Sequence, residues 1–388
     1  MFWMMIVVLA LVLGAACLWY LARRFSRFTP VRNLAGRLAG ATGTEPDGRA
    51  VKRARILAWV LGACILAALA VIFLLTMGYV NALIIALYLA LFLLVSDGIV
   101  AIIRRVAHRD VRADLAGALA IAVTVTYFAV GCFCAYHVWT TTYEVTTQKD
   151  VAPLKIVQFA DSHVGTTFHA DGFSDLVDRM QAEEPDVVFI TGDFVDDDTT
   201  REDMLACCEA LGRFRTPYGV YFVFGNHDKG YYGDEHRGWT TQELVDALTA
   251  NGVTVLEDAV VPIGEDYLVI GRQDRSEAER GNPRATMAEL TEGLDDGRYQ
   301  IVLDHQPNDY TAEAESGVDL VLSGHTHGGQ LIPITYVGIW TGQNDAVYGY
   351  EKRLGTDFIV TSGISDWAIK FKTGCISEYC VISVGSGD

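Results

Sequence analysis

Two spacings of hydrophobic positions divide the chain. Over its first 139 residues, apolar positions come in four long runs at about 3–21, 56–77, 79–96 and 115–139, with almost no charge inside them. Each run is near the ~20 residues that a helix needs to cross ~30 Å of hydrocarbon. Core helices of a water-soluble domain rarely come as four consecutive uncharged runs, so residues 1–139 are expected to form a four-helix transmembrane module. The first run has no basic stretch before it, and its arginines, Arg23 and Arg24, follow it. An uncleaved helix is therefore expected, with lipoprotein-type processing at Cys17, behind Gly14, Ala15 and Ala16, as the alternative.

From residue 154 the spacing changes. Short apolar runs of strand length occur at 154–160, 186–191, 219–224, 253–257, 267–270, 300–303, 318–322, 358–361 and 377–384. Amphipathic stretches at 171–184, 200–214, 240–251 and 284–294 alternate with them and read as helices. Thr240 followed by Glu243 has the capping-box spacing, and Gly252 stands where a helix-ending glycine belongs. The alternation predicts an α/β domain over 154–388. Residues 140–153, polar, Thr-rich and ending in Pro153, read as an extended connector.

Charge sharpens the division. Residues 1–150 carry 14 basic and 7 acidic side chains, a net +7, which leaves 16 basic and 41 acidic, a net −25, for the rest. So acidic a domain lacks the basic surface that nucleic-acid phosphates require, and no nucleic-acid partner is expected. It suits a site that collects cations. In the first part, the segment after run one carries nine Arg and Lys between Arg23 and Arg55, and the segment after run three carries Arg104, Arg105, Arg109 and Arg112. Positive loops stay cytoplasmic, which puts the N-terminus and everything after the fourth helix on the extracytoplasmic side of a multi-pass cell-membrane protein. Asp97 and Asp114 sit at run ends, where interface water lowers their cost. The helices contain nothing like an ion pathway.

The chemistry lies just beyond the predicted strands. In order come Asp161-Ser162-His163, Gly192-Asp193, Gly225-Asn226-His227-Asp228, His305, and Gly324-His325-Thr326-His327. Five of the nine histidines fall in these motifs. α/β sheets place ligands at the carboxyl ends of their strands. Any one motif alone is a turn or a satisfied histidine more often than a ligand; the ordered set reverses that. Asp161, His163, Asp193, Asn226, His305, His325 and His327 offer seven oxygen and nitrogen donors and no thiolate, a set suited to Mn, Fe or Zn. Seven is too many for one tetrahedral ion and right for two about 3.5–4 Å apart sharing a carboxylate. Such a pair deprotonates water at neutral pH and takes phosphoryl oxygens.

These motifs, with Leu320–Gln330 and His305-Gln306-Pro307, resemble the calcineurin-like metallophosphoesterase superfamily, and most closely its membrane-associated branch. The resemblance spans roughly 154–384. It implies a four-layer αββα sandwich, with Asp161, His163 and His327 on one metal, Asn226, His305 and His325 on the other, and Asp193 bridging. It also implies that His227 faces the phosphoryl group and protonates the leaving oxygen, with Asp228 orienting His227. Asp304, beside His305, departs from the small residue frequent there and could tune metal choice or His305.

The expectation is a membrane-anchored phosphohydrolase with two divalent metals, acting on a phosphate ester or pyrophosphate, lipid-linked substrates included, by attack of a metal-activated hydroxide. Membrane lipid is its other partner. The alternative is a non-catalytic, metal-dependent membrane binding module, which would have lost a donor; none is lost. His169 and His236 read as surface or pocket-rim residues, Tyr231 and Tyr232 as a substrate mouth or ordinary loop aromatics, and Lys370 and Lys372 as a solvated face more often than a phosphate-binding pair. Cys375 and Cys380 are spaced so that a disulfide is conceivable, with free thiols the more frequent outcome.

Overall fold

The computed structural model describes residues 2–42, 47–108, 111–294 and 297–386, with the backbone alone for 2–11. Arg109 of the second basic loop lies outside the described residues. The chain divides into two compact units, Met1–Val130 and Gly131–Asp388.

The first unit is helical: α1 (Phe2–Ser26), α2 (Thr29–Leu38), α3 (Gly48–Val106) and most of α4 (Ala113–Tyr136). Helix α2 lies in the stretch read from sequence only as a basic loop; Pro30 in its first turn suits a helix start. Helix α3 breaks at Gly78, which takes φ 79° and ψ 167°. Residues on either side of the break meet the same part of α1. Gly62 lies against the backbone of Ala22 and Ser26, closer than a β-carbon would allow. Asp97 accepts from the Tyr20 hydroxyl at 2.8 Å and pairs with Arg24 Nε at 3.2 Å. An unbroken helix would hold residues 62 and 97 about 50 Å apart at ~1.5 Å per residue, so the chain doubles back at Gly78. Asp114 accepts from the Thr29 amide at 3.0 Å. By length and composition two helices among the described residues can cross a membrane, Gly48–Val106 and Ala113–Tyr136.

The second unit takes the end of α4 and then strand β1 (Val138–Thr147). Two expectations are corrected here: the fourth helix stops at Tyr136, not at 139, and most of the 140–153 connector is strand. Alternating Thr, Val and Tyr favour a pleated surface over a polar coil. The strand pairs in parallel with the last one, Val138 opposite Ser377.

Two six-stranded sheets follow. The first joins β1, β2 (Leu154–Phe159), β3 (Val187–Thr191), β4 (Val220–Val223), β5 (Val253–Leu256) and β12 (Ser377–Ser386), in the order β1-β12-β2-β3-β4-β5. The second joins β6 (Ala259–Ile263), β7 (Tyr267–Gly271), β8 (Tyr299–Leu303), β9 (Leu320–Ser323), β10 (Gly349–Arg353) and β11 (Thr356–Val360), in the order β10-β11-β9-β8-β7-β6. Strands β2 to β5 run parallel to one another, as do β7 to β9. The runs of β3, β7 and β9 are almost wholly apolar because both their faces are covered. On β3, Val188 and Ile190 pack with Leu176 and Met180 of helix α5 (Ala170–Gln181) and Met204 of helix α6 (Arg201–Leu211). Val187 and Phe189 instead pack with Val269, Ile301 and Leu322 of the second sheet. The outer parity of that sheet, Ile270, Val302 and Val321, meets Met287, Leu290 and Tyr310 from two short helices. The capping box of Thr240 and Glu243 forms as expected.

Candidate metal centre

Each motif leaves the carboxyl end of a parallel strand. Asp161 and His163 follow β2, Asp193 follows β3, Asn226, His227 and Asp228 follow β4, His305 follows β8, and His325 and His327 follow β9. Strand direction thus gathers donors scattered over 167 positions. They fall into two groups with mutually close ligand atoms: Asp161, His163 and His327, and Asp193, His305 and His325. The Asn226 amide oxygen joins the second group, 3.2 Å from His305 Nε2. Asp193 Oδ2 stands between the groups, 3.7 Å from His163 Nε2 and 3.1 Å from His305 Nε2. All seven expected donors are therefore brought together.

Their outer contacts aim them. Thr191 carbonyl lies 2.7 Å from His305 Nδ1, which must carry a proton there, and Nε2 is the nitrogen that faces Asp193 and Asn226. Ser365 carbonyl does the same for His327 Nδ1 at 3.2 Å, and His327 Nε2 points to Asp161. The Asn226 amide nitrogen donates to the Tyr231 hydroxyl at 2.7 Å, which turns its oxygen inward. Close packing at the glycines is required: a β-carbon on Gly225 would stand 2.2 Å from Asp193 Oδ1, and one on Gly324 2.7 Å from Asp161 Oδ2.

Do these residues fit cations? Both ring nitrogens of His163 are fully buried without a completed hydrogen bond, although Nδ1 lies 3.3 Å from Asp196 Oδ2. Five of the seven donors, Asp161, His163, Asp193, His325 and His327, hold the left-handed backbone conformation, with φ between 36° and 71°. Such strain in non-glycine residues persists where function over-determines it. Burial pushes the Asp161 carboxyl up to about 6, against the pull of His305, and pushes the His325 imidazole down to about 3 with the help of the His305 charge. Buried donors without hydrogen-bond partners, crowded carboxylates and strained turns together describe a pocket that suits divalent cations.

His227 lies beside the donors, its ring 5.0 Å from that of His163. The ring is also 5.1 Å from Tyr231 and 5.9 Å from Trp367. Burial holds its imidazole below the usual range. Asp228 departs from expectation. Its Oδ1 accepts from the amides of Phe194 at 2.8 Å and Val195 at 3.0 Å, and its Oδ2 from those of Asp193 at 2.9 Å and Gly225 at 2.6 Å. Both oxygens are thus occupied by backbone, and Asp228 clamps the β3 and β4 exits together instead of orienting His227. Burial and the Asp193 charge push its carboxyl up to about 7, with the Gly225 and Val195 amides pulling down. Cations beside Asp193 would offset that charge and favour the carboxylate.

Other expectations are corrected nearby. Asp304 turns away from the donors and pairs with Arg272 Nη1 at 2.9 Å and with Arg284. Lys372 is fully buried, not solvated: it donates to the carbonyls of Ser362 and Ser365 and to Ser377 Oγ. Cys375 and Cys380 are free thiols, the more frequent of the two outcomes expected. His169 is a surface residue as expected, paired with Asp203 at 2.9 Å. Asp196, Thr191 and Ser365 went unnoticed in the sequence, and only the acidic run at 196–198 hinted at one of them.

The calcineurin-like phosphoesterase family profile matches residues 154–329. A metallophosphoesterase of Bacillus subtilis is 30% identical over 222 residues, covering 54% of this chain and 71% of the relative. The chain belongs to the calcineurin-like phosphoesterase family. A metallophosphoesterase of Campylobacter jejuni is 29% identical, covering 60% of this chain and 59% of its own. The bovine transmembrane protein with metallophosphoesterase domain is 28% identical, covering 67% of this chain and 60% of its own. The chain thus spans about three fifths of the length of several relatives that it matches.

Proposed function

We propose that the protein is a membrane-anchored phosphohydrolase that cleaves a phosphate ester or pyrophosphate with two divalent cations. The observation that carries this reading is Asp193 Oδ2, flanked by one histidine from each donor group. On this reading Asp161, His163 and His327 hold one cation, Asn226, His305 and His325 hold the other, and Asp193 is shared. Bound cations of the Mn, Fe or Zn class supply positive charge for the phosphoryl oxygens and a nucleophile at neutral pH. The chain's own residues do the rest. His305 and His327 keep their Nδ1 protons on backbone carbonyls, so neither ring turns as substrate enters. His227, in its imidazolium form, gives a proton to the leaving oxygen and returns to the neutral imidazole that burial favours. Tyr231 and Trp367, half-exposed beside His227, line the approach.

Anchoring extends the proposal. The fold-back at Gly78, together with α1 and α4, supports four crossings. The basic segments at 23–55 and 104–112 support a cytoplasmic side for the loops and an extracytoplasmic hydrolase. The three apolar clusters support the layer order helix, sheet, sheet, helix. A phosphorylated substrate borne on lipid fits such a location.

The test uses the full-length protein in detergent. Loaded with Mn²⁺, it is expected to release product from an aryl phosphate mono- or diester. His227→Ala is expected to keep both metals and lose turnover; Asp193→Asn is expected to lose metal and turnover together. Two metals bound with no ester or pyrophosphate cleaved across a nucleotide and lipid panel would favour the binding-module alternative.

A further inference from the structure

An uncharged stretch, residues 331–344, leaves the metal centre four positions beyond His327. It exposes Ile332, Ile334, Tyr336, Val337, Ile339 and Trp340, the last at 73%. A contiguous apolar surface of this kind is unusual on a domain of net charge −25 and calls for an occupant.

Contacts within the second unit say what occupies it. The stretch is stitched to residues 372–374: the Thr373 amide donates to Gln330 carbonyl at 2.8 Å, and the Ile332 amide donates to Thr373 Oγ1 at 3.2 Å. The same segment is stitched to the end of α4, where the Lys372 amide donates to Gly131 carbonyl at 3.0 Å and Ser377 Oγ donates to Ala135 carbonyl at 2.7 Å. A 24-residue helix is about 36 Å long, longer than ~30 Å of hydrocarbon, so its last turns lie at head-group level. Phe133, His137 and Trp139 cluster there with ring centroids 4.3 to 5.6 Å apart, the amphipathic aromatic grouping that settles at a membrane interface. Tyr336 and Trp340 repeat that chemistry on the uncharged stretch.

We infer that residues 331–340 dip into the lipid leaflet in which α4 ends, so that the membrane surface is their partner and the metal centre opens at head-group level. The inference rests on the proposed crossing by α4. Interfacial binding scales with buried apolar area as well as with attraction to anionic lipid, and on this acidic unit the apolar area supplies it.

The test uses the full-length protein in nanodiscs of phosphatidylcholine or its dibrominated analogue, which quenches tryptophan within the leaflet. The chain has seven tryptophans. Trp340→Phe, at an exposed position that tolerates change, is expected to lose roughly one tryptophan's share of the quenchable emission. Trp59→Phe, on α3, reads anchoring separately. Loss with Trp59→Phe but none with Trp340→Phe overturns the docking inference alone, and a two-chain particle in that case assigns the surface to a second copy. No loss with either variant removes the anchoring reading and the inference with it. Quenching is read whether or not any ester is cleaved, so failure of the hydrolase assignment leaves this result interpretable.

Discussion

Asp228→Asn separates two accounts of one carboxylate. In the structure its oxygens accept four backbone amides, from Asp193, Phe194, Val195 and Gly225. Asparagine keeps one oxygen and turns an NH₂ toward the other two amides. Each buried donor left without an acceptor costs about 1–3 kcal/mol, so the exchange costs about 2–6 kcal/mol at the junction of the β3 and β4 loops. Those loops deliver Asp193 and Asn226, and disturbing such outer partners typically weakens metal binding ~10–100-fold. The assay loads full-length protein with metal, dialyses it against graded chelator and counts retained metal by elemental analysis, in the native and the His227→Ala backgrounds. Weaker retention is expected in both. If Asp228 instead served His227, Asp228→Asn would retain metal fully and add nothing to His227→Ala. That pattern refutes the clamp.

Lys372→Met should destabilise the protein by about 3–5 kcal/mol, because it strands buried Asp366, 3.6 Å from the ammonium, along with the carbonyls of Ser362 and Ser365; a thermal midpoint unchanged from wild type would contradict this. Glu313 gives a pH signature. Burial and the Asp304 charge push its carboxyl well above the usual range, against the pull of Arg272. The folded chain therefore holds a proton that the unfolded chain releases above about pH 4.3, and stability falls with rising pH by up to ~1.4 kcal/mol per unit until the folded pKa is passed. Glu313→Gln removes that slope, so its melting advantage over wild type should vanish near pH 4 and grow as the pH rises above about 4.3; an advantage independent of pH would count against the reasoning. Removing metal should lower the thermal midpoint, since ligand at about 100 times its Kd contributes ~2.7 kcal/mol; equal midpoints with and without chelator would mean that the donors hold no ion.

The donors were legible because each stands at the end of a strand whose own signal is strong. Residues such as Val187 to Ile190 are buried on both faces and so read as unbroken apolar runs. Strand β1 hid because its sequence, Thr-rich and half-exposed, resembles a linker until β12 supplies a partner 239 positions away. Helix α2 hid among arginines that suggested only a basic loop. Asp228 shows another limit. Its motif announced a role, yet what its carboxylate accepts depends on where the β3 exit lies in space. Lys372 is the same case: nothing adjacent in sequence discloses that it will be enclosed by four groups from 362–377.

If the proposed anchoring and hydrolase activity hold, the direct passage from α4 into β1, with His137 alone between them, bears on whether a protease could release the one from the other. Cutting after the Thr-rich stretch, at residue 154, would strip away a ten-residue neighbour and bare one whole edge of β12. Exposed edges of that length recruit other chains. Shedding should therefore yield aggregate instead of a diffusible domain.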